Sequence, residues 1–196
     1  DRMLESLCQA DCFQALSEGR YTFSHQLFQE VVYASIAPSK RQALHGRQAL
    51  WLSERETELS AQELYTVAHH FQLSGDDRRA KAYRLQSADR AAVIGDLSFA
   101  VKMLEGIGAE ECEDLAQGDF KAVRYHDIVG NGLLLNGQLA PAVEAFHRAT
   151  TLAEPFSRSW ARCFKQYCEA LSSMGEGRRA LSLLTDSIEQ WRSLED

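Results

Sequence analysis

The sequence predicts an all-α chain, and three observations carry that expectation. Its 196 residues include only 3 prolines and 12 glycines, few for a β protein that turns tightly between strands. From residue 60 onward, apolar residues recur at helical spacing in stretches of about 12–18 residues, with no convincing strand among them. The breaks fall on glycine, at Gly75-Asp76, Gly95-Asp96, Gly118, Gly137 and Gly175. An alanine follows four of these glycines by five residues: Ala80, Ala100, Ala142 and Ala180.

Residues 4–17 place Leu4, Leu7, Cys8, Cys12 and Leu16 at helical spacing, with Gly19 as the stop. Arg20 to Ser24 alternates and reads as one short strand. His25 to Ile36 returns to helix on a stripe of Leu27, Phe28, Val31, Val32 and Ala34. Pro38 ends that helix, because the residue before a proline avoids helical backbone. Ser39 is the expected cap of a helix from about 40 to 55. Ser60-Ala61-Gln62-Glu63 has the capping-box pattern, in which each end residue satisfies an orphan amide of the other. It opens a helix that ends near Ser74-Gly75, and Pro155 marks a further break.

Composition narrows the class. At 22.0 kDa, with 45% hydrophobic and 25% charged residues, the chain is a globular protein, not a disordered tail, a collagen-like fibre or a membrane bundle. No apolar run approaches the roughly 18 residues that a membrane span needs. The net charge of −7 works against tight nucleic-acid binding, which draws on clustered Lys and Arg. Five irregularly spaced cysteines and the lack of a leader pattern read as reduced thiols in a cytoplasmic protein. The opening Asp1-Arg2-Met3-Leu4 is already in helical pattern, as expected of a piece of a longer polypeptide.

The glycine–alanine offsets resemble the tetratricopeptide repeat, a helix–turn–helix unit of about 34 residues. The Gly137 window adds Gly130, Leu133, Phe146 and Ala149, with Pro155 close behind, so residues 118–155 match well. Residues 157–191 match less closely, with Cys168 in place of the first glycine and Leu184 in place of the aromatic. Gly130 and Ala142 would lie where the two helices of a hairpin cross, and Ala149 where the next repeat stacks. The Gly95 unit follows the Gly75 unit by only 20 residues, so the two either share a helix or are degenerate. The resemblance implies an α-solenoid over about 59–196, preceded by a winged-helix-like remnant and helical linker over about 1–58.

A second resemblance lies in the first half. Phe23-x-His25-x-Leu27-x-Gln29-Glu30-Val31-Val32-Tyr33 and Arg41-x-x-Leu44-His45 precede Ala68-His69-His70-Phe71-x-x-Ser74-Gly75-Asp76. This order of blocks, over about 4–107, resembles the winged-helix-to-repeat junction of STAND-type signal-transduction ATPases. In bacterial adenylate and guanylate cyclases, kinases and LuxR-type regulators, such regions follow the ATPase. The resemblance implies a regulatory arm that senses a protein or peptide and biases a nucleotide switch upstream in the same chain. The chain itself has no phosphate loop of the form G-x-x-x-x-G-K-[ST] and no recognisable catalytic motif, so no enzymatic activity and no cofactor are expected of it.

In tetratricopeptide solenoids the first helix of each repeat lines the concave face. The matching positions are Arg124, Asp127, Asn131 and Leu134 in one repeat, and Arg162, Lys165, Gln166 and Glu169 in the next. Arg124 and Arg162 share a repeat position, so they are expected side by side, suited to an acidic peptide or a C-terminal carboxylate. The other reading is a solvated charged face. Asn131 fits the chaperone-binding clamp, but Asp127 stands where that clamp has a lysine, which argues against a chaperone tail.

His25 sits where the resemblance implies a nucleotide-state sensor, although a histidine at a strand-to-helix corner also caps or packs locally. Adjacent His69 and His70 point about 100° apart on a helix and chelate one metal poorly, so one of them is expected to pack on a neighbouring helix. Cys8 and Cys12, and Cys163 and Cys168, lack the close clusters of structural zinc and read as buried thiols. Lys40, Arg41, Arg47, Arg78, Arg79, Lys81 and Arg84 interleave with apolar positions as ordinary amphipathic surfaces do. They leave a DNA-binding regulator fragment as the rival from another class, beside a free-standing repeat adaptor.

Overall fold

The computed structural model describes residues 2–16, 21–54, 58–115 and 122–193. The expected stops at Gly19 and Gly118 lie outside these residues. The described chain is mostly helical, with one two-stranded antiparallel ribbon.

The N-terminal end departs from the expected single helix over 4–17. Helix α1 covers Arg2–Gln9, and Phe13–Ala15 is strand β1, paired antiparallel with β2 (Tyr21–Phe23). Two physical reasons stand out. Asp11 takes a left-handed backbone, φ 53°, which ends the helix. The strand expected at 20–24 also needs a partner for its backbone groups, and Phe13–Ala15 supplies one. Phe13 pairs with Phe23, their ring centroids 4.5 Å apart.

Helix α2 (Gln26–Ser35) follows as expected, but none of its residues is buried. Helix α3 (Pro38–Ser53) starts two residues earlier than expected, with Ala37 rather than Ser39 at the cap. Proline explains the shift, since its ring presets a helical φ and its missing N–H is no loss in the first turn. Pro38 therefore ends one helix and begins the next.

Helix α4 (Ala61–Ser74) opens on the expected capping box. The Glu63 amide donates to Ser60 Oγ at 3.3 Å and the Ser60 amide donates to Glu63 Oε2 at 3.0 Å. Gly75 closes the helix with φ +84°, and the Asp76 amide donates to the Phe71 carbonyl, satisfying an orphan acceptor. Asp76 then accepts from the Arg79 amide and caps α5 (Asp77–Val93). The same device joins α5 to α6 (Leu97–Leu104) through Gly95 and Asp96. A 3-10 turn at Ala109–Glu111 leads into the single turn of α7 (Cys112–Leu115). Gly137 joins α8 (Ala122–Leu135) to α9 (Leu139–Leu152), and Gly175 joins α10 (Arg158–Ser173) to α11 (Gly177–Arg192).

The alanine five residues past each turn glycine is buried in all four cases, at 5%, 0%, 0% and 3% exposure for Ala80, Ala100, Ala142 and Ala180. The turns at Gly75 and Gly95 flank one helix, α5, so those two units share it. A Cβ built on Gly130 would meet the buried Phe146 ring at 2.7 Å, which fixes how closely α8 and α9 cross. From α3 onward, helices pack chiefly on their neighbours in sequence. The cores run in series. Ala49, Val67, Phe71 and Ala80 join α3, α4 and α5, so α3 shares a core with residues beyond the expected boundary at 58. Leu85, Ala100, Met103 and Ile128 join α5, α6 and α8, and Phe146, Tyr167, Leu171 and Ala180 join α9, α10 and α11. Among the described residues, no helix is long and apolar enough to cross a membrane.

Candidate functional site

The face made by α5, α8 and α10 carries a ladder of polar contacts. Arg124 Nε on α8 donates to Asp89 Oδ1 on α5 at 2.7 Å. Arg162 Nη2 on α10 lies 3.0 Å from Asp127 Oδ2 on α8, and Gln166 Nε2 donates to Asn131 Oδ1 at 3.1 Å. Each of these contacts joins residues 35 apart in sequence. Within α8, Arg124 Nη1 donates to Asp127 Oδ2 at 2.8 Å, and Asn131 Nδ2 donates to the Asp127 carbonyl at 2.7 Å. Asp127 is 2% exposed, so its charge is stabilised by these partners rather than by water.

The structure thus brings together five of the expected residues: Arg124, Asp127, Asn131, Arg162 and Gln166. Lys165 and Glu169 stand apart as an exposed pair 3.4 Å from each other, and Leu134 packs against the α9–α11 core. The two arginines do share one wall, but their charges are met from within the chain. The aspartate at the clamp's lysine position is the carboxylate they hold. Burial works against the Arg124 charge, and the Asp89 and Asp127 carboxylates outweigh it, so its pKa lies above the usual guanidinium value. Arg162, at 49% side-chain exposure against 19% for Arg124, keeps a face toward solvent. Asp89 was not among the sequence candidates. Its signal was spacing, since Asp89 lies 35 residues before Arg124, as Asp127 does before Arg162.

Beside this ladder lies an open groove of about 580 Å³. Val93, Val123 and Leu152 give it apolar walls, Arg162 and Ser157 line its α10 side, and Glu154 adds a carboxylate. Ser157 Oγ caps α10, accepting from the Trp160 amide at 3.1 Å.

The remaining candidates fall elsewhere. His25 stands at the start of α2 without capping it; its ring edges Phe28 and its Nε2 lies 3.6 Å from Asp11 Oδ2. Its side chain is exposed. Of the adjacent histidines, His69 is exposed and stacks on Tyr65, whereas His70 turns to α3, where its Nδ1 lies 2.9 Å from His45 Nδ1. Cys8 lies in α1 and Cys12 beyond its end, so their expected shared helical face is lost. Burial and the Asp127 charge push the Cys163 thiol up to about 11, and burial with Glu169 raises Cys168, which leaves both protonated near neutrality. No group of three or more metal-ligating side chains occurs among the described residues. Several of the basic residues are held internally: Lys81 Nζ donates to Glu111 at 2.9 Å, and Arg84 and Arg78 donate to the carbonyls of Glu105 and Asp114.

Compared with protein-family models, with curated proteins and with solved structures, this chain finds no match in any of the three.

Proposed function

We propose that this chain is a non-catalytic protein-interaction and signal-sensing arm, an α-solenoid of tetratricopeptide-like hairpins. The observation that carries the reading is the ladder of contacts between residues 35 apart, which aligns successive hairpins along one polar face beside an open groove. Repeat architectures use such continuous faces for extended segments of other proteins. The ligand is a protein or peptide segment that sets apolar side chains on Val93 and Leu152 and a carboxylate on the open face of Arg162. In the setting implied by the STAND-like blocks, the arm belongs to a larger cyclase-linked ATPase and reports ligand binding to the nucleotide switch of the same chain, inside the cell.

The experiment is selection of peptides from a random display library against the 196-residue chain, with Arg162→Ala as the counter-target. Enrichment of acidic–apolar sequences that bind the variant at least tenfold more weakly supports the groove. Equal retention by the variant, or no enrichment, overturns it. Binding of duplex DNA tighter than micromolar at physiological salt, falling steeply as salt rises, would instead favour the DNA-binding class.

A further inference from the structure

A second polar cluster lies far from the groove, where α2, α3 and α4 meet. Tyr33 Oη on α2 lies 2.9 Å from His45 Nε2 on α3, and His45 Nδ1 lies 2.9 Å from His70 Nδ1 on α4. The two imidazole centroids are 5.1 Å apart. The guanidinium of Arg41 lies 5.0 Å over the Tyr33 ring. Since α2 buries no residue of its own, Tyr33 is a principal described tie between that helix and the rest of the chain.

The geometry limits how many protons the pair can hold. A hydrogen bond between two Nδ1 atoms needs a proton on one and a lone pair on the other. With both rings neutral this is met. With one extra proton on His45 it is still met, since Nδ1 donates to His70 and Nε2 donates to Tyr33. With both rings cationic, two N–H groups face each other at 2.9 Å and the contact cannot persist.

The surroundings make the doubly charged state harder to reach. The charges that bear on the pair are Arg41 from α3 and His69 from α4, both cationic or able to become so. From α2 the facing titratable group is Tyr33. From α5, Arg79 and Tyr83 are engaged with the Phe71 ring. Burial lowers both histidine pKa values from 6.5, with His69 and Arg41 adding to the effect at His45, and His45 and His69 adding to it at His70.

We infer that Tyr33, His45 and His70 form an acid-released latch: the second proton on the histidine pair parts His45 from His70, so the His45 ring that holds Tyr33 loses its anchor on α4 and α2 is no longer fixed to the α3–α4 pair. The core of Ala49, Val67, Phe71 and Ala80 keeps α3 on α4 through the change, so what yields is the His45 ring and the helix it tethers.

Backbone hydrogen exchange on the 196-residue chain tests this, at pH 7.5 and 5.0, with rates normalised to intrinsic exchange. The amides of Gln26–Ser35 should lose at least tenfold in protection at pH 5.0, while those of α8 to α11 keep theirs. His70→Gln, which cannot take up charge, should retain α2 protection at both pH values. Tyr33→Phe should show low α2 protection at both. The latch is overturned if α2 is equally protected at both pH values, unprotected already at pH 7.5, responsive to acid in His70→Gln, or unaffected by Tyr33→Phe. Should His70→Gln lose its helical circular dichroism, ring titration of the unmodified chain by NMR decides. Two coupled steps separated by more than about one pH unit support the shared proton, and two independent titrations near 6.5 overturn it.

Discussion

The guanidinium of Arg162 lies 3.0 Å from the buried carboxylate of Asp127, a residue 35 positions earlier on the helix of the preceding hairpin. That contact makes the two groove arginines unequal. Arg124 holds Asp127 and Asp89 from a largely covered position, whereas Arg162 holds Asp127 from a half-exposed one.

The inequality predicts different costs. Arg124→Ala strips the better-covered partner from a buried charge and should cost about 1–3 kcal/mol in urea unfolding. Arg162→Ala should cost less than about 1 kcal/mol, because solvent screens its side of the pair. Equal losses would mean that Asp127 is not held chiefly by Arg124.

Gly130 and Phe146 should be energetically coupled. Gly130→Ala drives a Cβ against a fully buried ring and should destabilise by about 1–3 kcal/mol. Combined with Phe146→Leu, the loss should fall short of the sum of the single losses by at least about 0.5 kcal/mol. Strict additivity in thermal unfolding would place the ring elsewhere. Ala142→Trp, at a 0% exposed position in the core shared with Phe146, should cost on the order of 1–3 kcal/mol or more by overpacking.

Stability should fall as pH drops below about 6.5. Burial lowers the pKa of His45, His70 and His126 in the folded chain, so the unfolded chain binds more protons as pH falls. The stabilisation is therefore full above the unfolded value of 6.5 and is lost progressively below it. The melting temperature at pH 5.5 should lie below that at pH 7.5, and His126→Gln should narrow the gap without closing it. The Lys81 hydrogen bond lowers the Glu111 pKa from 4.5, so that carboxylate does not titrate in this window. A flat profile between pH 5.5 and 7.5 would contradict the burial of these rings.

The thiols should separate into two groups on alkylation at pH 7.5. Cys8 and Cys12 are only part-buried and should react first. Cys112, Cys163 and Cys168 are buried and should react only on unfolding, the more so for Cys163, whose pKa stands at about 11. Mass spectrometry of the alkylated chain counts the modified residues directly.

What was legible in the sequence was what local chemistry decides alone. The Ser60–Glu63 capping box, the glycine turns at 75, 95, 137 and 175, and the buried alanines five residues on each follow from capping, backbone freedom and close approach, which short spacing records. Residues 13–15 misled because Phe13-Gln14-Ala15 suits helix and strand alike, and pairing with Tyr21–Phe23 decides between them. Ser39 has the chemistry of a cap, but Pro38 is favoured in a first turn and moves the start of the helix upstream of it. The groove face could be read from repeat register, yet its charge state could not. That Asp127 would absorb both arginines depends on a side chain from another hairpin reaching it. That one of the adjacent histidines would turn to a neighbouring helix was legible, but not that His70 would meet His45 there, since the two are 25 residues apart and only the packing of α4 on α3 joins them.

Asp89, Arg124, Asp127 and Arg162 alternate in sign along the groove face, two of each charge, with Arg162 at the more accessible end. An anion arriving there competes with Asp127 for one guanidinium. If it wins, Asp127 keeps Asn131 but leans harder on Arg124, and Arg124 has less to give Asp89 on α5. A guest at α10 would thus be registered as a loosened grip two hairpins away, without any helix having to slide.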